Sequence, residues 1–197
     1  MQIKNSDTIG LFFGSFNPIH IGHLALANYF VEFCGLKELW FVISPHNPLK
    51  DKGTLLHHRH RMLMVNLAID GSKKLKASTI EFKLPQPSYT INTLTHLKEK
   101  YPKKNFALIM GSDNLKTFHK WKNYEEILKR YTILVYPRSG FDAEDLLQHP
   151  NIQLTDAPIM EISSSFIRAA IKNGKSPKFF THPAVWEYIQ EMHFYQK

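Results

Sequence analysis

Short apolar runs alternate with amphipathic stretches along almost the whole chain, and that alternation leaves few folds open. Thr8 to Phe13, Glu38 to Ser44, Leu75 to Ile80, Asn105 to Met110, Tyr131 to Tyr136 and Ile152 to Leu154 read as strands. Between them, 21–34, 58–69, 89–101, 114–119, 124–129 and 142–147 read as helices, and 163–172 and 182–193 follow as two more. Helical spacing supports the longer ones: Leu24, Ala27, Tyr29, Val31 and Cys34 in the first, with Gly35 as its stop. Met62, Val65 and Ile69 mark one side of the second, and Ile91, Leu94 and Leu97 mark the third. Strand–helix alternation of this kind predicts an α/β fold, a parallel sheet with helices on both faces. Such sheets bind ligands outside the carboxyl ends of their strands, so the loops leaving the strands are where chemistry is expected.

Composition narrows the partners. With 197 residues, 43% of them hydrophobic and 13% aromatic, the chain can bury a core, which excludes disorder as its main state. The longest apolar run, Leu39 to Ile43, is far short of the ~20 residues that span a bilayer. The start, Met1 to Asp7, has no signal-peptide core, and the single cysteine, Cys34, cannot form an internal disulfide. A cytoplasmic protein without a membrane partner is expected. Lys and Arg number 25 against 17 Asp and Glu, a net charge of +8 that favours anionic partners. The cations fall in scattered pairs (Lys73-Lys74, Lys103-Lys104, Lys129-Arg130), not in the dense stripe of a nucleic-acid binder, so no nucleic-acid partner is expected.

Two loops stand out. The first reads Gly14-Ser15-Phe16-Asn17-Pro18-Ile19-His20-Ile21-Gly22-His23 and joins a strand to a helix, the setting in which helix N–H groups receive phosphate. His20 and His23, three residues apart, can face one spot near that helix start, and Gly14 and Gly22 can let a ligand approach the backbone. The second reads Ile162-Ser163-Ser164-Ser165-Phe166-Ile167-Arg168, with serine hydroxyls and N–H groups at a helix start and a guanidinium one turn on. Taken alone, this stretch reads more readily as ordinary serine capping.

Together these two strings resemble the nucleotidyltransferase superfamily with the (H/T)xGH and ISSxxIR signatures. More narrowly, the chain resembles the bacterial nicotinate-nucleotide adenylyltransferase family, from Thr8 to about Tyr195. Pro87-Ser88-Tyr89-Thr90-Ile91-Asn92-Thr93-Leu94 is similar to that family's SYTxxTL segment, Gly111-Ser112-Asp113 with Trp121 to its GxD…W pattern, and Pro45 to Lys50 to its loop after strand two. The resemblance implies a Rossmann-like doubly wound parallel sheet with a small C-terminal helical portion. It implies one domain over 1–197, with 160–197 the helical subregion. It implies adenylyl transfer from ATP to nicotinate mononucleotide, giving deamido-NAD and pyrophosphate, with Mg2+ on the ATP. The roles it implies are catalysis by His20, His23 and Arg168. ATP would be bound by Gly14, Ser15, Phe16, Gly22, Gly111, Asp113, Ser163, Ser164 and Ser165. The mononucleotide would be bound by Asn17, Lys50, Tyr89, Thr90, Trp121 and Arg138. No protein metal site is implied.

Many family members carry Gly-Gly-Thr-Phe-Asp-Pro where this chain has Phe13-Gly14-Ser15-Phe16-Asn17-Pro18. That form also resembles nicotinamide-mononucleotide adenylyltransferases, so direct synthesis of NAD stays open. A non-catalytic nucleotide sensor on the same fold is a further alternative, as is a homo-oligomer. His57, His58 and His60 read as a loop-to-helix junction and not as a metal set.

Overall fold

A computed structural model describes residues 7–45, 55–140 and 148–196. Six strands form one sheet: β1 (Thr8–Gly14), β2 (Glu38–Ile43), β3 (Leu75–Ser78), β4 (Asn105–Gly111), β5 (Thr132–Tyr136) and β6 (Ile152–Leu154). Their order is β3-β2-β1-β4-β5-β6 and every neighbouring pair is parallel. The helices are α1 (Ile21–Phe33), α2 (His58–Ile69), α3 (Thr90–Lys100), α4 (Ser112–Lys116), α5 (Tyr124–Arg130), α6 (Ser164–Lys172) and α7 (Pro183–Glu191).

Successive strand residues point to opposite faces, so near-continuous apolar runs bury both. Leu39, Phe41 and Ile43 of β2, Ala107 and Ile109 of β4 and Leu134 of β5 join the layer that holds α1, α2, α6 and α7. Trp40, Val42, Phe106, Leu108, Ile133 and Val135 join the layer of α3 and α5. The C-terminal helices share the first layer: Ile167, Ile171, Val185 and Ile189 pack in the same cluster as Phe30 of α1 and Met64 of α2. Gly10 in β1 lets Leu36 and Ile109 pack over the strand, since a Cβ there would sit 2.5 Å from Leu36 Cδ1 and 2.7 Å from Ile109 Cδ1.

The sheet is the doubly wound Rossmann-like arrangement the sequence predicts. Chain order reverses at the centre, where β1 lies between β2 and β4, and the loops leaving β1 and β4 open side by side. Several boundaries differ from expectation. The third strand stops at Ser78, and Ile80–Lys83 turns into a 3-10 helix. Glu81 is buried there and its Oε1 accepts a 2.8 Å bond from Thr93 Oγ1, which diverts the chain from the strand. The helix expected at 114–119 is α4 followed by a separate 3-10 turn, Phe118–Lys120. The buried side of α2 is Arg61, Met64, Val65 and Ile69, with Met62 only partly covered. The helix expected at 142–147 lies outside the described residues.

Candidate active site

His20 is the residue before the first turn of α1, in extended backbone, and His23 sits one turn inside. His23 Nδ1 accepts from the His20 N–H at 3.3 Å, and the two rings stack with centroids 3.7 Å apart. Gly22 makes the stack fit: a Cβ there would lie 3.1 Å from His20 Nδ1 and 3.2 Å from its Cε1. His20 is 4% exposed. Burial, followed by the nearby Arg138 guanidinium, lowers its pKa to about 4, so the ring is neutral at neutral pH.

The second motif is docked onto the first. Ser163 caps α6, its Oγ accepting from Phe166 N at 3.1 Å. Ser164 Oγ donates to the Pro18 carbonyl at 2.9 Å, and Arg168 Nη1 donates to the Asn17 carbonyl at 2.9 Å. Arg168 Nη2 also reaches Ser165 Oγ at 3.3 Å. The imidazole pair and the guanidinium thus meet around one loop, from opposite ends of the chain.

The turn leaving β4 and the loop leaving β5 complete this corner. Arg138 N donates to Ser112 Oγ at 3.0 Å, Arg138 Nη1 donates to the Met160 carbonyl at 3.3 Å, and Arg138 Nε lies 4.0 Å from Asp113 Oδ1. Gly111 leaves room for them, because a Cβ would press on Asp113 Oδ1 and come within 3.2 Å of Arg138 Cγ. Asp113 Oδ1 and Arg138 Nε face each other without a close hydrogen bond, and His20 Nδ1 is buried with no hydrogen-bond partner. Buried polar atoms are nearly always paired, so the open imidazole nitrogen leaves this corner able to take a polar ligand.

A second corner lies on the side of α3. Tyr89 precedes α3 in extended backbone and provides no side-chain cap, so the N–H groups of Thr90 and Ile91 have no acceptor among the described residues. Tyr89 is 37% exposed, and Lys122 Nζ sits 4.6 Å from its ring centroid. Trp121, the neighbour of Lys122, is half-buried with one contact on Phe118, ring centroids 5.3 Å apart. Lys122 joins this uncapped helix start to the segment that carries the partly open indole, and a helix N-terminus with a cation near it suits an anion.

Residues 11–170 match a family model described as cytidylyltransferase-like. A relative from Flavobacterium johnsoniae, named "Probable nicotinate-nucleotide adenylyltransferase", is 57% identical over 96% of this chain and 99% of its own. A relative of the same name from Bacteroides fragilis is 52% identical over 91% and 90%. The chain belongs to the nicotinate-nucleotide adenylyltransferase family. The fold agrees with that of a Plasmodium falciparum nicotinic acid mononucleotide adenylyltransferase complexed with NaAD, at a TM-score of 0.82 and 23% identity, over 96% of this chain and 98% of that one.

Within this family member, some residues singled out from sequence sit differently from expectation. Gly14 does not clear space for a ligand: its missing Cβ makes room for the Phe16 ring, 2.7 Å away. That ring is 2% exposed and packs edge-on against Phe12, Phe41 and His23, so Phe16 can offer a nucleotide only its backbone. Asn17 is 3% exposed, and its Oδ1 accepts from Leu56 N at 3.3 Å and Tyr195 Oη at 2.9 Å. Its side chain is a strut of the loop. Arg138 lies beside His20 and Asp113. Ser15 lies in the loop after β1, Gly22 lies in the first turn of α1, and Thr90 opens α3. Lys50 lies outside the described residues.

The sequence reading missed three residues. Arg61 is fully buried, and its signal was its place three and four positions before Met64 and Val65 on the apolar side of α2. Glu81 is buried behind α3, and burial pushes its carboxyl up. Tyr195 returns from the C-terminus to Asn17, and nothing in its local sequence signals this. His57, His58 and His60 have separate tasks: His57 Nδ1 accepts from Arg59 N, His58 lies against Phe82, and His60 Nδ1 bonds Tyr188 Oη at 2.7 Å.

Proposed function

We infer that the chain transfers the adenylyl group of ATP to nicotinate mononucleotide, a step of NAD biosynthesis. A 5′-phosphate oxygen of the mononucleotide attacks the α-phosphorus in line, the bond from that phosphorus to the α,β-bridging oxygen breaks, and pyrophosphate leaves with its electron pair. The products are deamido-NAD and pyrophosphate. No protein nucleophile takes part, so catalysis rests on positioning and charge stabilisation. The observation that carries this reading is the meeting of the stacked His20–His23 pair with Arg168 around one loop, with Arg138 and Asp113 beside it.

The His20–His23 pair and the Ile21 and Gly22 N–H groups receive the triphosphate at the α-phosphorus. A neutral His20 serves as a hydrogen-bonding group and not as a second cation. Ser164, Ser165 and Arg168 hold the β and γ phosphates, and Asp113 accepts from a ribose hydroxyl. At the other corner, Thr90 and Ile91 N–H groups receive the nicotinate carboxylate while Trp121 stacks on the pyridine ring. An amide in place of that carboxylate would gain less from N–H donors and the helix dipole, which supports nicotinate over nicotinamide. Among the described residues no group of three or more His, Cys, Asp or Glu side chains is placed to hold a metal ion. Magnesium on ATP would therefore be held by phosphate oxygens and water, and it would neutralise charge on the departing pyrophosphate. We place the chain in the cytoplasm as one domain acting on small molecules, without nucleic-acid or membrane partners.

The deciding experiment supplies ATP with each mononucleotide in turn and measures pyrophosphate release. Faster turnover with nicotinate mononucleotide is expected. Preference for the nicotinamide form would transfer the chain to direct NAD synthesis, and no release with either would leave a nucleotide sensor.

A further inference from the structure

Arg61 stands outside every motif described above, yet it is 0% exposed and one of the largest fully buried side chains in the described protein. Its guanidinium donates to four main-chain carbonyls: Nε to Leu56 at 2.9 Å, Nη1 to Ser15 at 2.6 Å and to Ser44 at 2.8 Å, and Nη2 to Pro45 at 3.0 Å. Those carbonyls come from the exit of β1, the exit of β2 and the approach to α2. No carboxylate among the described residues pairs with it. A guanidinium presents its donors in a fixed plane, which a lysine ammonium cannot reproduce.

The contact with Ser15 has a directional consequence. In a planar trans peptide the N–H points opposite to the C=O. Turning the Ser15 carbonyl onto Arg61 therefore turns the Phe16 N–H away from Arg61, and that N–H has no acceptor among the described residues. Phe16 itself is held at φ +46, in the left-handed region, with its ring locked in the core. The contacts close a ring: Arg61 holds the Ser15 and Leu56 carbonyls, and Leu56 N donates to Asn17 Oδ1, two residues after Ser15. Asn17 and Pro18 then present the carbonyls that seat Arg168 and Ser164. Arg61 thus lies one step behind the loop that both signature motifs share.

We propose that Arg61 is a positioning residue for nucleotide binding: it orients the Ser15–Phe16 peptide and ties the exits of β1 and β2 together, so that the ATP phosphates meet a preset loop. The assignment to ATP rests on the function inferred above. Arg61→Lys keeps the charge and loses the fork, and Arg61→Ala leaves a hole that free guanidinium can enter. Steady-state kinetics with both substrates are measured for each variant. ATP binding is measured by calorimetry without the mononucleotide, with and without millimolar guanidinium chloride, and against sodium chloride at equal strength.

For Arg61→Lys we expect a cooperative melt, kcat/KM for ATP lowered about 10²-fold, as a misplaced binding loop can cost, and a nearly unchanged KM for the mononucleotide. Weaker ATP binding in Arg61→Ala should be restored by guanidinium and not by sodium chloride. A folded Arg61→Lys with wild-type kcat/KM for ATP would overturn the proposal. Equal loss toward both substrates without guanidinium rescue would also do so, since it would make Arg61 a support of the fold alone. If Arg61→Ala does not fold, Arg61→Lys decides. Calorimetry reads ATP alone, so a wild-type protein that binds ATP but does not adenylate nicotinate mononucleotide refutes the proposed function and still tests Arg61.

Discussion

Acidification should destabilise this protein through His20, by an amount set by where the imidazole lies. The ring is buried, and burial with the adjacent Arg138 holds its pKa at about 4 against an ordinary 6.5. The unfolded chain therefore takes up a proton on falling below 6.5 that the folded protein refuses until about 4. Stability is fully present above the unfolded value, declines as pH falls through this window, and levels off below it. At about 1.4 kcal/mol per pH unit, the gap amounts to about 3 kcal/mol. The assay is chemical denaturation from pH 4 to 8 at constant ionic strength, on the wild type and on His20→Gln, which keeps hydrogen-bonding groups and does not titrate. Other groups contribute to both curves: Glu81, with its pKa raised by burial, works in the opposite direction. Only the difference between the two proteins isolates His20. That difference should shrink by about 3 kcal/mol between pH 7 and 4. Parallel curves would show that His20 titrates alike in both states, and would refute both the burial argument and the neutral imidazole assigned to the phosphate site.

Three more outcomes follow from named contacts. His23→Ala should lower turnover by about 10²-fold with the fold intact, the range for removing one charge-stabilising donor; near-normal kcat would remove His23 from the reaction. Trp121→Ala should raise KM for the mononucleotide and leave that for ATP nearly unchanged, which saturation curves with each substrate would test. Ser163→Ala removes the cap on Phe166 N and should cost about 1 kcal/mol in unfolding free energy; an unchanged melting temperature would show that α6 does not depend on it.

The layering of this molecule was legible because it repeats locally. Near-continuous apolar runs in β2 and β4 and helical spacing in α3 are short-range patterns, and each is set by how much of one element meets the core, both faces of a strand or one side of a helix. The two motifs stood out for a related reason: histidines three apart across a helix start, and serines at another, form strings within a single turn, although the serines were set apart from ordinary capping only by the resemblance. Boundaries failed where a distant partner intervened, as when Thr93 drew Glu81 inward and ended β3 early. The rings that two glycines accommodate were not legible: the missing Cβ of Gly14 makes room for Phe16, and that of Gly22 for His20.

By itself the sequence determined the parallel α/β sheet and the family to which the chain belongs, and it singled out the two loops to which we assign the site. Only the tertiary structure decided that Arg61 is a buried staple, that Asn17 is a strut, that Arg138 lies beside His20, and that Tyr195 closes on the loop after β1. These contacts join residues separated along the chain by 46 positions for Arg61 and Ser15 and by 178 for Tyr195 and Asn17. Local periodicity records which way a side chain points from its own helix or strand. It holds no record of which carbonyl, ring or carboxylate the rest of the fold will bring to meet it.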